Sequence, residues 1–465
     1  MIPVIGYKNC FVGVLGLGKT GLATASALKL GGAYPLCWDD DLSVRKAAQH
    51  SGIEIENLNS DKILEKVVAL IISPGIPHLY PAPHPIVQKA LSKGIIIDND
   101  ISLFFRSFAS EGWNEFDVTP KVICVTGSNG KSTTTALLEH ILFESGMSVE
   151  TGGNIGRAVL TMTPAIDGDI KVLEVSSYQV ELARTLQPDL AVFLNFSPDH
   201  ADRHSGHGGY FAAKSRLFSM GGPEKCIIGI DENEGLFLSN VMREELLNTD
   251  PVIVFSVNSK LTGSRWAVFV HKGFLVEWRN GKQVGSIDLR EKLNLVGKHN
   301  HQNICAAYAS CRALGLAPRR IQEALDSFRG LKHRAQIIGK KNGVTFVNDS
   351  KATNSTSTAK ALAAFKNIRW IVGGKEKQNG LTDLIPVNAN VKEIYLIGSS
   401  QESFSRQLTG ISHIKCDNLD TAFKVAFEDS VVGDTILLAP ACASFDQFRS
   451  FEDRGNRFIE LFDKI

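Results

Sequence analysis

The chain has 465 residues, of which 43% are hydrophobic and 21% charged, and its formal net charge is +1. This length exceeds one ordinary hydrophobic core and predicts two or three domains. The near-zero charge excludes a global field that would recruit nucleic acid or a membrane surface, so we expect neither as a partner.

Targeting and redox features indicate the cytoplasm. The amino-terminal segment Met1–Val4 lacks the basic and apolar regions of a signal peptide. No apolar run reaches the roughly 18 residues that would predict a membrane span. The eight cysteines are scattered and form no C-x-x-C pair, which argues against a zinc ribbon or a disulfide framework. We therefore expect a cytoplasmic protein whose cysteines are small core residues.

Short apolar runs alternate with glycine-rich turns and helical patterns in three successive blocks, residues 1–112, 113–330 and 331–465. In chain order, strands are predicted at 11–15, 35–38, 67–72, 121–125, 170–173, 190–194, 345–347, 369–372, 393–397 and 435–438. The polar stretch 106–120 is typical of a linker. Strand–helix alternation predicts an α/β protein with parallel sheets, whose ligands bind at the carboxyl ends of the strands.

The first block carries a dinucleotide-type turn. Residues 16–21, Gly-Leu-Gly-Lys-Thr-Gly, lie between the first predicted strand and a helix. The acidic pair Asp39–Asp40 ends the second strand about 20 residues later, which completes the fingerprint by position. A nicotinamide cofactor and another pyrophosphate-bearing nucleotide, such as a UDP-sugar, fit this turn equally well. Segment Ser73–Ile76 ends another strand and would face the same crevice.

The second block opens with a phosphate-binding pattern. Residues 126–133, Thr-Gly-Ser-Asn-Gly-Lys-Ser-Thr, follow a predicted strand and begin a helix. Glycines let backbone N–H groups converge on phosphate oxygens, Lys131 supplies a positive charge and Ser132 can ligate Mg²⁺. Val125 stands where the standard P-loop has its first glycine, so the spacing departs from that motif. A purely structural turn is the alternative interpretation, which the Gly-Lys-Ser-Thr context disfavours.

Three further residues of this block are candidates for metal chemistry. Glu174 ends the next strand and suits either a Mg²⁺ ligand or a carboxylate that complements a helix dipole. His200 follows the third strand and could be a second ligand, although a lone loop histidine is more often structural. Lys214, considered alone, is typical of a solvated surface lysine.

Two separate phosphate sites in one chain constrain the function. One is of the ATP type, and the other would hold a nucleotide diphosphate or a dinucleotide. Hydride transfer gives no reason for the Lys131 loop. A ligase that activates a UDP-tethered carboxylate explains both loops.

With these motifs and others, the chain resembles the Mur ligases of peptidoglycan synthesis over essentially its whole length. The motifs are TGSNGKST at Thr126, GGNIG at Gly152, EVSSYQ at Glu174, SPDHADRH at Ser197, GKHNHQN at Gly297, KHR at Lys332, NDSKATN at Asn348 and PACASFDQF at Pro440. The last two, with SPGIP at Ser73, favour the glutamate-adding member, and no D-N-P-R motif is present. The resemblance implies a Rossmann-like amino-terminal domain, a central P-loop ATPase-type domain with a parallel or mixed sheet, and a Rossmann-like carboxyl-terminal domain.

The resemblance also implies an activity, that of an ADP-forming acid–amino-acid ligase in cell-wall biogenesis, cell shape and cell division. Its substrates would be ATP, UDP-N-acetylmuramoyl-L-alanine and D-glutamate, with Mg²⁺ at two sites, and we expect a monomer. The carboxylate would attack the γ-phosphorus of ATP, and the amine of glutamate would then attack the acyl phosphate. Only the resemblance, and no residue, selects the D-isomer.

Matching positions receive roles from the resemblance. The catalytic residues would be Lys131, Glu174, His200 and a carbamylated Lys214, and the metal ligands Ser132, Glu174, His200 and Lys214. ATP would contact Gly127, Ser128, Asn129, Gly130, Lys131, Ser132, Thr133, Asn300, Asn303, Arg334 and Asp349. The UDP substrate would contact Lys19, Thr20, Gly21, Asp39, Ser73, Gly75 and Asn154. The amino acid would contact Thr353, Lys377, Ser444, Phe445 and Phe451.

Two local features depart from the family pattern. Segment 204–209, His-Ser-Gly-His-Gly-Gly, is unusually rich in histidine and glycine, and we predict a flexible loop there rather than an extra metal site. Lys375 and Lys377 both could pair with the side-chain carboxylate of glutamate, and we align Lys377 with that role.

Other interpretations remain open. Another Mur-type ligase or a folylpolyglutamate synthase would share the ATP loop, but the synthase would not need the fingerprint of the first block. A nicotinamide-dependent dehydrogenase with an accessory ATPase domain would prefer NAD to a UDP-sugar. A non-catalytic nucleotide switch would leave Glu174 and Lys214 without a role. The synthase, the dehydrogenase and the nucleotide switch do not explain motifs in all three blocks.

Overall fold

The computed structural model describes the whole chain except residues 109–114, 155, 198–202, 221, 246–249, 291–294, 296, 377–379, 382–383 and 386–388, and the side chain of residue 245. Its strands form three sheets of four, nine and six strands. Two compact units are present, one of residues 1–291 with 300–327 and one of residues 292–299 with 328–465. The predicted α/β class is confirmed, while domain boundaries at 112 and 330 stay predictions.

The first sheet is fully parallel, in the order β2-β1-β3-β4. Its strands are β1 (Phe11–Leu15), β2 (Tyr34–Trp38), β3 (Val67–Ile72) and β4 (Ile96–Asp98). The accompanying helices are α1 (Lys19–Leu30), α2 (Leu42–His50), α3 (Asp61–Leu64), α4 (Pro85–Ser92) and α5 (Asp100–Ser107). Successive side chains of β1 from Val12 onward are buried on both faces, as expected of a covered parallel sheet. The predicted linker begins too early, because Arg106 and Ser107 form the last turn of α5.

The second sheet has the order β13-β12-β11-β10-β9-β8-β5-β7-β6. Its strands are β5 (Lys121–Thr126), β6 (Val149–Gly153), β7 (Ile170–Glu174), β8 (Leu190–Phe193), β9 (Lys225–Gly229), β10 (Val252–Ser256), β11 (Trp266–His271), β12 (Phe274–Arg279) and β13 (Lys282–Asp288). The strands from β5 to β11 pair in parallel, and β12 and β13 add an antiparallel edge. Because β5 lies between β7 and β8, the carboxyl ends of these three strands meet.

The helices of this sheet, and a short 3-10 turn, connect its strands. They are α6 (Lys131–Glu144), the 3-10 turn Val159–Thr161, α7 (Ser177–Leu182), α8 (His207–Ser219), α9 (Asn233–Glu245), α10 (Lys298–Ala313) and α11 (Pro318–Ser327). Helix α6 follows β5 after four residues, and α7 follows β7 after two residues. Both helices therefore begin at the carboxyl edge of the sheet, where a parallel α/β fold binds its ligands.

The third sheet has the order β14-β15-β19-β16-β17-β18, and only β14 is antiparallel to its neighbour. Its strands are β14 (Gln336–Lys341), β15 (Val344–Asn348), β16 (Ile368–Gly373), β17 (Val391–Ile397), β18 (Ile414–Asp417) and β19 (Thr435–Leu438). Its helices are α12 (Ser355–Ala364), α13 (Gln401–Gln407), α14 (Leu419–Glu428) and α15 (Phe451–Asp463). Every strand predicted from the sequence is present within two residues of its expected bounds.

The burial of the cysteines and the character of the helices bear on two features of the sequence. Seven of the eight cysteines are buried and are core residues as predicted, while Cys10 is half-buried. Across the described part of the chain, no helix has the length and apolar character needed to cross a bilayer.

Candidate active site

The phosphate loop joins β5 to α6, and its two glycines are required by its shape. Gly127 and Gly130 have φ values of +146° and +86°, a region that glycine enters readily. A Cβ atom on Gly130 would lie 2.2 Å from Oδ1 of Asn303. Gly130 precedes α6 without a side-chain cap, which leaves first-turn N–H groups available to an anion. Val125, the departure from the standard motif, is a buried strand residue.

Two lysines converge on one carbonyl of this loop. Nζ of Lys131 donates to the carbonyl oxygens of Gly127 at 2.9 Å and Ser128 at 3.0 Å. Nζ of Lys214 donates to the same Gly127 oxygen at 2.9 Å and lies 4.5 Å from the ring centroid of Tyr210. Lys214 is only 1% exposed, so the expectation of a surface lysine is wrong. The two ammonium groups give the loop a positive local charge that suits a polyphosphate.

Residues just after β8 hold the loop, and the sequence analysis assigned them no role. The hydroxyl of Ser128 donates to the carbonyl of Ser197 at 3.0 Å and accepts from its N–H at 2.9 Å. Asn195 binds both backbone groups of Asn129, accepting from its N–H at 2.9 Å and donating to its carbonyl at 3.1 Å. Their position immediately after a strand that neighbours β5 was the available signal.

Glu174 ends β7 beside this loop and is buried. Its Oε1 accepts a 3.4 Å hydrogen bond from Nδ2 of Asn154, an exposed residue. Its Oε2 is buried and has no hydrogen-bond partner among the residues that the structure describes. A buried carboxylate oxygen without a partner fits a hard cation such as Mg²⁺.

The rest of the predicted metal set is only partly described. Ser132 lies half-buried in the first turn of α6, and His200 lies outside the described residues. Among the residues that the structure describes, no group of three or more histidine, cysteine, aspartate or glutamate side chains could hold a metal ion. The described donor set is therefore limited to a hydroxyl and a carboxylate, which are oxygen ligands of the kind that Mg²⁺ prefers.

Helix α10 brings its asparagines against the phosphate loop. Oδ1 of Asn303 accepts from the hydroxyl of Thr134 at 3.3 Å, and Nδ2 of Asn303 donates to Oδ1 of Asn300 at 3.2 Å. Thr133 precedes Thr134 on α6 and is half-buried. The sequence placed these asparagines on the ATP side, and the structure brings them together with the loop.

The glycine turn of the first block is held by side chains of its own sheet. A Cβ on Gly21 would lie 1.8 Å from the carbonyl oxygen of Gly16, so α1 and the turn require glycine at this contact. Ser73 donates through its hydroxyl to that carbonyl at 2.8 Å. Asp39 accepts from the N–H of Leu17 at 2.7 Å. The predicted residues Gly21, Asp39 and Ser73 therefore meet at one turn.

Helix α1 begins at the same turn with Lys19, which is exposed, and Thr20, which is half-buried.

Arg203 connects this edge to the second sheet. Its guanidinium donates to the carbonyls of Gly75 at 3.3 Å and Ile76 at 3.4 Å and lies 4.6 Å from the ring centroid of Tyr178. The two candidate phosphate sites thus belong to a single compact unit.

The segment predicted as a flexible loop is partly helical. His207 begins α8, and Gly209 lies in its first turn. His204 is buried, and its Nε2 lies 2.9 Å from the hydroxyl of Ser177. Packing against α7 orders a segment whose composition alone suggested mobility.

In the second unit, the turn before β14 meets the end of β15. Oδ1 of Asp349 accepts from the N–H of Ala335 at 3.0 Å. Burial raises the pKa of Asp349 to about 6, opposed by that hydrogen bond and by the charge of Arg334. The two residues predicted to contact ATP from this unit are thus neighbours.

The predicted amino-acid residues lie near the carboxyl ends of the same sheet. Thr353 is half-buried, Ser444 buried and Phe445 69% exposed. Phe451 begins α15, and Nζ of Lys351 lies 3.7 Å from its ring centroid. Lys377 lies outside the described residues. The alternative, Lys375, is exposed and pairs through its backbone with Ala443, the neighbour of Ser444.

A buried arginine, which the sequence analysis did not identify, supports these strand ends. The guanidinium of Arg454 donates to the carbonyls of Ser350 and Cys442 at 2.9 and 3.1 Å. Burial lowers the pKa of Arg454 to about 10, so the group stays positively charged at neutral pH. Nothing in the polar pattern of α15 distinguishes this arginine from its exposed neighbours.

Comparison with known proteins agrees with this architecture. The family model of the Mur ligase middle domain matches residues 125–311, and that of the Mur ligase glutamate ligase domain matches residues 333–442. A UDP-N-acetylmuramoylalanine--D-glutamate ligase of Cereibacter sphaeroides is 56% identical over 460 residues, covering 99% of each chain. A protein of the same name from Ruegeria pomeroyi is 54% identical over 459 residues, covering 99% of this chain and 98% of that one.

Solved structures show the same fold at low sequence identity. The UDP-N-acetylmuramate-alanine ligase of Thermotoga maritima superposes with a TM-score of 0.56 at 16% identity, covering 98% of this chain and 99% of that one. A pseudomurein peptide ligase type C from Methanothermus fervidus gives a TM-score of 0.55 at 18% identity, covering 98% and 100%. Sequence matches to both domain models, relatives more than half identical over nearly the full length and a shared fold lead to one conclusion: the chain belongs to the Mur ligase family.

Proposed function

We propose that this protein is an ATP-dependent amide ligase that adds D-glutamate to UDP-N-acetylmuramoyl-L-alanine during synthesis of peptidoglycan precursors. The proposal rests on the phosphate loop, where Lys131 and Lys214 both donate hydrogen bonds to the carbonyl of Gly127. The buried carboxylate of Glu174 ends the neighbouring strand. The choice of substrates follows from the name of relatives that are 54–56% identical.

The first chemical step activates the carboxylate, because a free carboxylate is a poor electrophile. A carboxylate oxygen forms a bond to the γ-phosphorus of ATP while the bond from that phosphorus to the bridging oxygen breaks, and ADP leaves. Backbone N–H groups at the start of α6 and the charge of Lys131 stabilise the negative charge of this transfer. The product is an acyl phosphate.

The second step forms the amide. The amine of glutamate attacks the acyl carbon, the carbon–oxygen bond to phosphate breaks, and the nitrogen loses a proton. We assign the amino acid to Thr353, Lys377, Ser444, Phe445 and Phe451. A lysine ammonium and a buried serine, with adjacent N–H groups, suit the two carboxylates of glutamate.

Mg²⁺ fits the oxygen Oε2 of Glu174, for which the described part of the chain supplies no hydrogen-bond partner. Bound Mg²⁺ would neutralise phosphate charge during the first step. We propose Ser132, Glu174, His200 and a carbamylated Lys214 as ligands at two sites. Carbamylation converts a cationic nitrogen into anionic oxygen donors, which gives the buried Lys214 a reason to lie at a metal site.

The UDP moiety is assigned to the turn of the first block, with Lys19, Thr20, Gly21, Asp39, Ser73, Gly75 and Asn154. A carboxylate at such a turn suits the hydroxyls of a ribose. The ATP contacts are assigned to residues 127–133 with Asn300, Asn303, Arg334 and Asp349. The cytoplasmic location and monomeric state expected from the sequence stay predictions.

Phosphate release from ATP and Mg²⁺ tests this function. The assay contains UDP-N-acetylmuramoyl-L-alanine with D-glutamate, L-glutamate or no amino acid. The proposal predicts release only when both the UDP substrate and D-glutamate are present. Release with L-glutamate alone would keep the ligase class but overturn the stereochemistry. Binding of ATP without release under any condition would favour the nucleotide switch, and preferential binding of NAD would favour the dehydrogenase.

A further inference from the structure

Three polar side chains, those of Asn195, Gln302 and Asp231, connect the backbone of the phosphate loop to the segment that follows the carboxyl end of β9. Asn195 binds the N–H and the carbonyl of Asn129 at 2.9 and 3.1 Å. Nδ2 of Asn195 also donates to Oε1 of Gln302 on α10 at 2.7 Å. Nε2 of Gln302 in turn donates to Oδ2 of Asp231 at 3.4 Å. The relay, defined as Asn129, Asn195, Gln302 and Asp231, therefore connects the loop to the residue two positions beyond β9.

The anionic end of the relay fixes the orientation of every amide in it. The carboxylate of Asp231 can only accept, and it accepts from the hydroxyl of Ser256 at 2.5 Å and the N–H groups of Val257 and Asn258 at 3.1 and 3.2 Å. Gln302 must therefore turn its NH₂ group towards Asp231. Its oxygen then faces Asn195.

The same logic reaches the loop. With the oxygen of Gln302 facing it, Asn195 must present its NH₂ group there and keep its own oxygen for the N–H of Asn129. Asn195 and Gln302 are each only 8% exposed, so bulk water is a poor substitute for a lost partner. A reversed amide anywhere in the relay would set two donors or two acceptors against each other.

We propose that Gln302 and Asp231 are positioning residues for nucleotide binding, although neither belongs to the phosphate loop. They orient Asn195, and Asn195 holds the backbone of Asn129 so that the N–H groups between Gly127 and Lys131 converge on phosphate. This inference rests on the proposed use of ATP. It predicts that damage to the relay weakens nucleotide binding and leaves the attack of the amine unaffected.

The test compares Gln302→Met with a matched control on the same helix. Ser310 is buried, and its hydroxyl donates to the carbonyl of Ala306 within α10 at 2.8 Å, so Ser310→Ala also removes one buried hydrogen bond. The dissociation constant for ATP is measured by calorimetry, and kcat and the three KM values by phosphate release. We expect Gln302→Met to weaken ATP binding about three- to tenfold with little change in kcat or in the other KM values. Equal ATP affinities in the two variants would overturn the proposal.

A second pair of measurements covers the case in which Gln302→Met fails to fold. Asp231→Asn keeps the shape of the side chain but no longer fixes the orientation of the Gln302 amide. We therefore expect it to weaken ATP binding as well, but less than Gln302→Met does. Combining it with Asn195→Ala should give less than the sum of the single effects, because both act through one contact path. Additive effects would contradict the relay.

Calorimetry also separates this proposal from the proposed function. Wild-type protein that binds ATP without forming amide would overturn the ligase assignment, and the relay would still be judged by the ATP affinities of the variants. Wild-type protein with no affinity for ATP would overturn both.

Discussion

Two glycine-rich turns of this protein share one backbone plan and differ in what surrounds them. The first turn (residues 16–21) and the second turn (residues 127–131) each follow a parallel strand and begin a helix. Each uses glycine where the backbone has a positive φ, as at Gly16 and Gly127. Backbone geometry alone therefore gives both turns the capacity to bind phosphate.

The two turns differ in the charge of the side chains that bind them. The N–H of Leu17 in the first turn donates to the carboxylate of Asp39, whereas a carbonyl of the second turn accepts from the ammonium groups of Lys131 and Lys214. A carboxylate repels a triphosphate and suits a ribose hydroxyl, while the ammonium group of Lys131 attracts a triphosphate. The neighbours of a glycine turn thus decide which part of a nucleotide it binds.

The largest expected effect comes from removing the charge of the second turn. Lys131→Ala should lower turnover about 1,000-fold, because this donor stabilises charge that develops during phosphoryl transfer. Lys19→Ala in the first turn is the matched control and should raise the KM for the UDP substrate while kcat changes little. Phosphate release measures both variants. Normal turnover of Lys131→Ala would refute the division between the turns.

A second, smaller effect is expected at Lys214. Lys214→Met keeps the volume of the buried side chain but removes the nitrogen that donates to Gly127, and turnover should fall about 100-fold. Carbon-13 spectra recorded in labelled bicarbonate should show a carbamate resonance in the wild type that is missing from the variant. Identical spectra would rule out carbamylation at this position.

The first turn is tested by Asp39→Ala. Loss of the acceptor for the N–H of Leu17 should raise the KM for the UDP substrate about tenfold, in line with a hydrogen bond to a charged group. The KM for ATP should stay constant, since Asp39 belongs to the other turn. A larger change in the KM for ATP than for the UDP substrate would reverse the assignment of the two turns.

The smallest expected effect is on stability, and it concerns the carboxylate of Asp349. Asp349, like Asp39, accepts a backbone N–H, but burial raises its pKa to about 6, against about 3.9 in an unfolded chain. The folded state therefore binds this proton more tightly, and its contribution to stability falls as pH rises from about 4 to about 6. The side chain of Asp349→Asn cannot titrate, so this variant should not show the fall in stability.

Thermal unfolding at several pH values measures this difference. Relative to the wild type, the melting temperature of Asp349→Asn should rise by a few degrees between about pH 4 and pH 7. Its affinity for ATP should fall if Asp349 contacts the nucleotide as proposed. Parallel pH profiles of the two proteins would contradict the assigned titration.

Much of the fold could be predicted because its signals are local. Apolar runs such as 67–72 and 435–438 became strands with those bounds, and glycine spacing located both turns. The antiparallel edge formed by β12 and β13 was not predicted, since no motif falls on it. The helical start of α8 was missed because glycine and histidine have low helix propensity, which packing against α7 overrides.

Residues of the candidate site could be proposed from the sequence where they lie on a motif, and they were missed where their position depends on contacts between distant parts of the chain. Lys131 and Glu174 follow from their places after strands. The burial of Lys214 and the arrangement of Asn195 and Gln302 depend on pairs separated by 87 and 107 positions in the chain. The pattern of a single sequence does not reveal contacts between residues so far apart. The order of the strands in the sheet brings these residues together.

Oxygen-18 transfer tests the central claim, that this protein activates a carboxylate by phosphorylation. UDP-N-acetylmuramoyl-L-alanine labelled with oxygen-18 in its carboxylate is converted with ATP, Mg²⁺ and D-glutamate, and the released phosphate is analysed by mass spectrometry. An acyl phosphate requires that one labelled oxygen move to phosphate for each amide formed. Phosphate without label, released at the rate of amide formation, would contradict the account.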